Sequence, residues 1–177
     1  MRECSVIEMR ITIREACVED AAIIGELRRL VWLTTYRGIY PDDKLDHYPY
    51  QEYLKKDSAS LSDKAHHWYL FCDGPKTVGY FSFGPYNYGH YKDFSLCLNH
   101  LYILKDYQGM GLGKRAFDLL NAFCTEHRIA RYFCGCNANN GPAISFYQRM
   151  GGIAGDAPRM DVAKEDQIIH FEFYLGD

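Results

Sequence analysis

Apolar and polar positions along the chain repeat with two different periods, and these divide the sequence into predicted strands and helices. Alternation with a period of two predicts strands at residues 9–14, 66–73, 76–86, 94–105, 130–136 and 166–175. Helical spacing predicts long helices at residues 18–36 and 111–127 and a short helix within residues 139–152. Residues 37–56 carry two prolines and several tyrosines, which predicts a loop with one or two short helices.

Each of the two long helices has one predicted buried face. In the first helix this face comprises Ala22, Ile23, Leu27, Leu30 and Val31. In the second helix it comprises Leu112, Ala116, Leu119, Leu120, Phe123 and His127. Both helices are therefore expected to pack one side against a sheet.

The order of the predicted elements favours an α/β fold, in which a central mixed sheet has helices on both faces. Strand 94–105, helix 111–127 and strand 130–136 form a predicted parallel crossover unit. The chain has 177 residues, a length that suits one compact domain. We therefore expect a single domain over residues 1–177.

Composition and charge argue against several classes of partner. The net charge of −3 gives no overall basic excess, which argues against a nucleic-acid-binding protein. No apolar run approaches the about 20 residues of a membrane helix, and the first residues lack a signal-peptide pattern. The seven cysteines are expected to be reduced thiols, and the spacing of Cys134 and Cys136 is poor for a metal site. The expectation is a cytoplasmic protein with no metal, membrane or nucleic-acid partner.

The segment DYQGMGLGKRAFDLL, residues 106–120, places three glycines immediately before a predicted helix. A Walker A loop is excluded, because Gln108 stands where its first glycine belongs and Arg115 where its Ser or Thr belongs. In a dinucleotide-binding fingerprint the third glycine would fall on Lys114 or on Ala116. Alanine is tolerated there, so this second interpretation is weakened but stays open.

A third pattern, Gln-x-x-Gly-x-Gly, is matched in full by Gln108, Gly111 and Gly113. Backbone N–H groups at a helix N-terminus converge on an anion, and the helix dipole assists. Glycine allows the backbone to approach phosphate oxygens without a Cβ clash. The segment therefore predicts a phosphate-binding loop.

This loop resembles the acyl-CoA pyrophosphate loop of the GNAT superfamily of N-acetyltransferases. The resemblance covers most of the chain and includes ITIREACVED, WLTTYRGIYPDD, VGYFSFG, LNHLYILKDYQGMGLGKRAFDLL and NANNGPAISFYQRMGG. It implies a GNAT-like fold, acetyl-CoA as co-substrate and an amine acceptor that is either a small molecule or a peptide. A homodimer is a further expectation at the level of the family.

The resemblance also implies roles for individual residues. The backbone of Ile103 and Lys105 would pair with the pantetheine arm, and the Ile103 N–H would serve the oxyanion. The residues around the pyrophosphate would be Gln108, Gly109, Met110, Gly111, Leu112, Gly113 and Lys114, while Asn137 and Asn140 would contact the cofactor farther along. Tyr147 would be the general acid toward sulfur, since a phenol can donate a proton to a thiolate as it forms.

The general base is harder to assign. Many members of the superfamily carry a glutamate where this chain has Cys97, and a neutral thiol is a poor substitute for a carboxylate. His100 is the candidate base, because its ordinary pKa is about 6.5. Regular alternation places Cys97 and His100 on opposite faces of the strand, unless a β-bulge intervenes. Proton transfer through a chain of waters, and catalysis without any enzymic base, both stay open as well.

The candidate acceptor-binding residues are Trp32, Tyr36, Tyr40 and Cys97, with Tyr48 nearby in sequence. Aromatic rings can hold a cationic amine through cation–π contacts. The function expected from these features is acetyl transfer from acetyl-CoA to a primary amine by direct attack. The alternative is a non-catalytic module that binds or senses acyl-CoA.

Overall fold

The computed structural model describes residues 11–86, 91 and 93–176 of the chain. Its strands are β1 (Ile11–Glu15), β2 (His67–Asp73), β3 (Lys76–Gly84), β4 (Cys97–Ile103), β5 (Arg131–Asn137), β6 (Ile153–Ala154) and β7 (Ile168–Tyr174). Its α-helices are α1 (Ala21–Thr35), α2 (Asp42–Asp46), α3 (Tyr50–Ser62), α4 (Leu112–Glu126) and α5 (Gly141–Arg149). Residues 9 and 10 of the first predicted strand lie outside the described part. Within that part, no helix is both long enough and apolar enough to cross a membrane.

The strands form one seven-stranded sheet in the order β1-β2-β3-β4-β5-β7-β6. Neighbouring strands are antiparallel except for β4 and β5, which are parallel and are connected through α4. A parallel pair needs such a crossover, because its strands start at the same edge of the sheet. The predicted mixed sheet and its crossover unit are both confirmed.

Two apolar cores lie on opposite faces of the sheet. On one face α4 contributes Leu112, Ala116, Phe117, Leu120 and Cys124, which pack over inward-facing residues such as Phe71 and Phe81. On the other face Ile24 and Leu27 of α1 pack with Trp68, Leu70, Cys72 and Tyr80. Because β2 and β3 are covered on both sides, most of their residues are buried, including the polar Thr77 and Ser82.

Helix α1 is rotated relative to the prediction. Its buried residues include Ala21, Ile24, Leu27, Arg28 and Val31, whereas Ile23 and Leu30 are each 39% exposed. An arginine on the inward stripe is unexpected from the pattern, because buried charge needs a partner. The partner is Asp57 on α3, which a one-helix pattern cannot show.

Strand β4 contains a β-bulge. Leu98 pairs with Phe83 and His100 with Ser82, so Asn99 is an extra residue with no counterpart on β3. The bulge reverses the alternation: Leu98 and Leu101 both pack into the core beneath α4. His100 instead stacks on Trp68 in the opposite core, at a ring-centroid distance of 5.0 Å. Regular alternation would place Cys97 and His100 on opposite faces, and the bulge is the exception to it that the sequence left open.

A matched pair of substitutions tests the rotation of α1. Leu27→Ala should lower the free energy of unfolding by about 2–5 kcal/mol, since it leaves a cavity in a packed core. Leu30→Ala should change it by only about 0.5 kcal/mol, because that residue is 39% exposed and lies outside the packed core. Urea denaturation followed by circular dichroism measures both, and equal losses would contradict the described orientation.

Candidate active site

The site forms where β4 and β5 separate. Their pairing comprises only Cys97 with Phe133 and Leu98 with Cys134, although both strands continue beyond these residues. A cavity of about 670 Å³ opens past this point and reaches both faces of the sheet. Its wall comes from the end of α1, from β4, from residues 107–114, from the end of β5 and from α5.

The β4 edge that faces this cavity exposes backbone groups. Within the described residues, the stretch from Asn99 to Ile103 has no ladder partner on β5. At its end, Gln108 Nε2 donates a hydrogen bond of 3.0 Å to the Ile103 carbonyl oxygen. This bond ties the glycine loop to the strand, so the loop and the open edge form one continuous wall.

The glycine loop has the conformation that its sequence requires. Gly109 and Gly111 have φ values of 77° and 78°, in the left-handed region that favours glycine. A Cβ atom added to either residue would meet no atom within 4 Å, so the backbone there faces open space. Glycine is needed at position 113 for a different reason, since a Cβ atom added to Gly113 would lie 2.7 Å from Phe146 Cζ. Gly113 therefore lets α5 pack closely against the start of α4.

The loop end of the cavity suits an anion. Gly111 is the N-terminal capping position of α4, and no side chain caps that end. The first N–H groups of the helix therefore have no intrahelical acceptor and are available to a ligand. Lys105, Lys114 and Arg149 also line this end, and Lys114 Nζ lies 2.7 Å from Asp118 on the next turn.

Tyr147 reaches the cavity from α5. Its side chain is buried, and its ring lies 5.6 Å from Phe171 and 6.2 Å from Phe117 between ring centroids. Burial raises the pKa of its phenol well above the ordinary value of about 10. Tyr147 therefore keeps its proton at physiological pH and can act as a proton donor.

His100 also lines the cavity, but both of its ring nitrogens are engaged. Nδ1 lies 2.7 Å from Ser82 Oγ, and Nε2 lies 3.4 Å from Arg28 Nη2. Burial, and then the charge of Arg28, hold the pKa of His100 well below its ordinary value. This arrangement is unsuited to a general base, which must accept a proton near neutral pH.

The aromatic residues of the acceptor side form a packed cluster around Trp32. The rings of Tyr36, Tyr40, Tyr48 and Tyr53 lie between 5.4 and 5.6 Å from the Trp32 ring. Trp32 Nε1 donates a 3.2 Å hydrogen bond to Tyr102 Oη. Of these rings, those of Tyr36 and Tyr102 belong to residues that line the cavity. Trp32 and Tyr40 instead support Tyr36 from behind.

The structure brings most of the expected site residues together at this cavity. They are Tyr36, His100, Ile103, Lys105, Gln108, Gly109, Gly111, Leu112, Gly113, Lys114, Asn140 and Tyr147. Asn140 also begins α5, where its Oδ1 accepts a hydrogen bond of 3.3 Å from the Ala143 N–H.

Five of the expected residues lie outside the cavity lining. Trp32 and Tyr40 belong to the aromatic cluster, and the exposed side chain of Met110 lies outside the lining. Cys97 is 4% exposed and packs against Phe94 and Phe133. The side chain of Asn137 is also turned elsewhere: its Nδ2 donates to the Lys164 carbonyl oxygen at 2.7 Å. That bond secures the loop before β7, so the amide is already committed.

The structure adds residues that sequence reasoning missed. Asn139 and Gly135 line the cavity beside Asn140, and Leu98 lies at its buried end. Tyr107 lines it as well, and its Oη donates a 2.9 Å hydrogen bond to Asp73 Oδ2. A usable signal existed for Tyr107, because it directly precedes Gln108 of the loop motif. Nothing in the sequence pattern pointed to Leu98, whose orientation depends on the bulge.

A mixed sheet that opens between two parallel strands, with a glycine loop at the start of the intervening helix, defines the GNAT fold. The sequence agrees: the model of the Acetyltransferase (GNAT) family matches residues 25–152. The chain belongs to this family. It is 31% identical over 140 residues to the uncharacterized N-acetyltransferase YuaI of Bacillus subtilis (strain 168), with 78% of each chain covered.

Solved structures share this fold at low sequence identity. The PaiA N-acetyltransferase of Thermoplasma acidophilum, in complex with coenzyme A, superposes with a TM-score of 0.74 at 20% identity. That match covers 93% of this chain and 100% of the other. YncA of Salmonella typhimurium, with its cofactor acetyl-CoA, superposes with a TM-score of 0.64 at 19% identity, covering 94% and 95%.

Cys136 also lines the cavity, and it is 9% exposed. Burial raises the pKa of this thiol to about 12. Because only the thiolate reacts, alkylation of Cys136 by iodoacetamide should accelerate about tenfold per pH unit between pH 7 and 10. Peptide-resolved mass spectrometry measures the rate, with Cys136→Ser as the control. A plateau below pH 9 would show a reactive thiol instead.

Proposed function

We propose that this protein transfers an acetyl group from acetyl-CoA to a primary amine by direct attack. The observation that carries the proposal is the continuity of two features in one cavity. The glycine loop at the start of α4 adjoins the unpaired edge of β4, and Gln108 joins them through its bond to Ile103. The complexes of PaiA with coenzyme A and of YncA with acetyl-CoA support this choice of co-substrate.

The residues at the loop end fit a diphosphate. The left-handed glycines leave open space beside the backbone, and Lys105 and Arg149 add positive charge. The unpaired β4 edge fits the amide-bearing pantetheine arm, which can pair with a strand as a further strand would. In this arrangement Gly109, Gly111, Leu112, Gly113 and Lys114 hold the phosphates, and the backbone of Ile103 and Lys105 holds the arm.

The thioester supplies an acetyl group that an amine attacks directly, which gives an amide and a free thiol. The backbone N–H of Ile103 is proposed to stabilise negative charge on the acetyl oxygen, as oxyanion-hole donors do. Tyr147 is proposed to donate its proton to the sulfur as the carbon–sulfur bond breaks. His100 is engaged by Ser82 and Arg28, so the amine proton is proposed to leave through water at the cavity mouth.

The acceptor is proposed to enter on the α1 face of the sheet. Thr34, Thr35, Tyr36 and Ile39 line the cavity there, and Tyr102 and His100 complete that wall. These groups can contact an amine through hydroxyl and aromatic surfaces. The wall is compatible with a small amine, an amino acid, a protein N-terminus or a lysine side chain.

A steady-state assay tests the activity itself. The purified protein is incubated with acetyl-CoA and a panel of amines, amino acids and peptides, and release of the CoA thiol is followed. Turnover with at least one acceptor is expected. Tight CoA binding without turnover on any amine would instead favour a module that binds or senses acyl-CoA.

Gly111→Glu tests the phosphate-binding role of the loop. The substitution forces a side chain into a left-handed position and adds a negative charge where the diphosphate is proposed to bind. CoA affinity, measured by calorimetry, should fall at least 100-fold, by about 3 kcal/mol or more. Gly74→Glu is the matched control, since Gly74 also has positive φ and open space but lies in the β2–β3 turn. Equal losses of CoA affinity in the two variants would show that the loop does not bind CoA.

Tyr147→Phe tests the proton donor. The substitution keeps the ring packed and removes only the hydroxyl, so kcat should fall on the order of 100-fold while CoA affinity changes little. Tyr132→Phe is the matched control, because that buried tyrosine bonds to Asn121 away from the cavity. Unchanged turnover in Tyr147→Phe would exclude Tyr147 from the chemistry.

A further inference from the structure

An ion pair is buried beside the acceptor side of the cavity, and the proposed reaction makes no direct use of it. Arg28 Nη2 lies 2.7 Å from Asp57 Oδ1, and the two side chains are only 2% and 5% exposed. Arg28 Nε also donates a 3.0 Å hydrogen bond to Tyr80 Oη, and its guanidinium lies 4.9 Å from the centre of the Tyr53 ring. The same Nη2 faces His100 Nε2 at 3.4 Å.

Stability alone does not account for this pair. Removing two charges from water is costly, and apolar residues of similar size are often as stable or more so. The cost is visible here: within the described residues, Asp57 Oδ2 and Tyr48 Oη are buried without a hydrogen-bond partner. We therefore looked for an effect of this ion pair on the charge of a neighbouring residue. Its neighbour on the cavity wall is His100.

The contacts of His100 indicate which ring nitrogen carries the hydrogen. A guanidinium has only donors and does not lose its proton in proteins, so the nitrogen that faces Arg28 must supply a lone pair. His100 Nε2 is therefore unprotonated, and Nδ1 carries the hydrogen. Nδ1 lies 2.7 Å from Ser82 Oγ, which can accept that hydrogen. A second proton on the ring would place an N–H group against the N–H groups of Arg28.

The charged groups around the His100 ring can balance only one positive charge. The neighbouring groups that carry charge or titrate are Arg28 on α1, Asp57 on α3, His66 before β2, Tyr80 on β3 and Tyr102 on β4. Burial raises the pKa of Tyr80 well above its ordinary value, so its hydroxyl contributes no negative charge beside the ring. Asp57 is thus the one carboxylate among these groups, and it is already paired with Arg28.

We propose that Arg28, held by Asp57, is a positioning residue that keeps His100 uncharged with its proton on Nδ1. The cavity wall that meets the acceptor is then free of positive charge. This matters because a primary amine with a lysine-like pKa of about 10.4 arrives mostly as a cation, which a charged ring would repel. The proposal rests on the proposed acetyl transfer and deepens it, since Arg28 acts through His100 and touches neither substrate.

The charge of His100 can be measured without any substrate. Two-dimensional ¹H–¹⁵N NMR of the imidazole rings in the intact protein reports both the tautomer and the titration midpoint. The expected result is a neutral ring with its proton on Nδ1 and no titration between pH 5.5 and 8. A ring that titrates in this range, or that carries its proton on Nε2, would overturn the proposal.

Two variants vary the charge beside the ring. Arg28→Met leaves the Asp57 carboxylate alone, and Arg28→Met with Asp57→Asn removes both charges. The midpoint of His100 should rise in the order wild type, double variant, single variant, because Arg28 repels a second ring proton and an unpaired Asp57 carboxylate attracts it. Because the double variant leaves no unpaired buried charge, it keeps the test informative if the single variant folds poorly. Identical midpoints in wild type and double variant would contradict the role of Arg28.

Kinetics then test the consequence for the acceptor. Below the midpoint of His100, the neutral fraction of the ring falls about tenfold per pH unit. Between pH 7.5 and 5.5 the kcat/KM of Arg28→Met should therefore fall more steeply than that of wild type, by up to about tenfold for each pH unit below the raised midpoint. The matched control is Arg29→Met with Glu26→Gln, which removes an exposed ion pair one residue along α1. This control should keep the wild-type pH profile, whereas a pH-independent loss in Arg28→Met would indicate a structural role only.

A second substitution, at His100, distinguishes the effect of Arg28 on the ring from its other effects. His100→Asn retains a donor near Nδ1 but cannot become charged at these pH values. Added to Arg28→Met, it should abolish the extra loss of kcat/KM at pH 5.5, and persistence of that loss would overturn the proposal. Absence of turnover in wild type would refute the proposed function, while the NMR titration would still decide whether Arg28 holds His100 neutral.

Discussion

The site depends on the early end of hydrogen bonding between β4 and β5. Only two residue pairs join these strands, and beyond them one sheet has two separate edges in its interior. Unpaired backbone groups are costly to bury, so such an opening persists only where a ligand or solvent can reach it. The strands are held in this arrangement by neighbours on both faces, α4 and α5 on one side and α1 on the other. The cavity is thus a property of the whole sheet and not of one loop.

Along this cavity the chemistry changes from one face of the sheet to the other. The α4 end combines free helix N–H groups with lysine and arginine side chains, which suits phosphate oxygens. The α1 end is walled by tyrosine and threonine hydroxyls and by the His100 ring, which is proposed to be uncharged. A polyanionic ligand and a cationic one are therefore favoured at different ends. The buried edge at Leu98 and Tyr147 lies between them, where the two reactants would meet.

Much of the fold was predictable because its signals are local. Strand alternation, the apolar stripe of α4 and the glycine spacing around Gly111 each arise within about fifteen residues, and each led to the correct element. Asn99 shows the limit, since one extra residue in β4 reverses which side chains face which core. Arg28 shows another, because its inward position requires a carboxylate that lies 29 residues away on α3. Asn137 was assigned to the site from the family pattern, yet its amide is held by the loop before β7. These three positions depend on partners distant in sequence.

The anchoring of the glycine loop has a consequence for affinity. Tyr107 is fixed to the β2–β3 hairpin through Asp73, and the adjacent Gln108 is fixed to the end of β4. Both bonds tie the loop to the sheet, so the loop has few conformations to lose. Ordering a flexible segment on binding costs about 1–2 kcal/mol per residue in backbone entropy. Preorganisation of this kind lowers that cost and leaves more of the interaction free energy to appear as affinity.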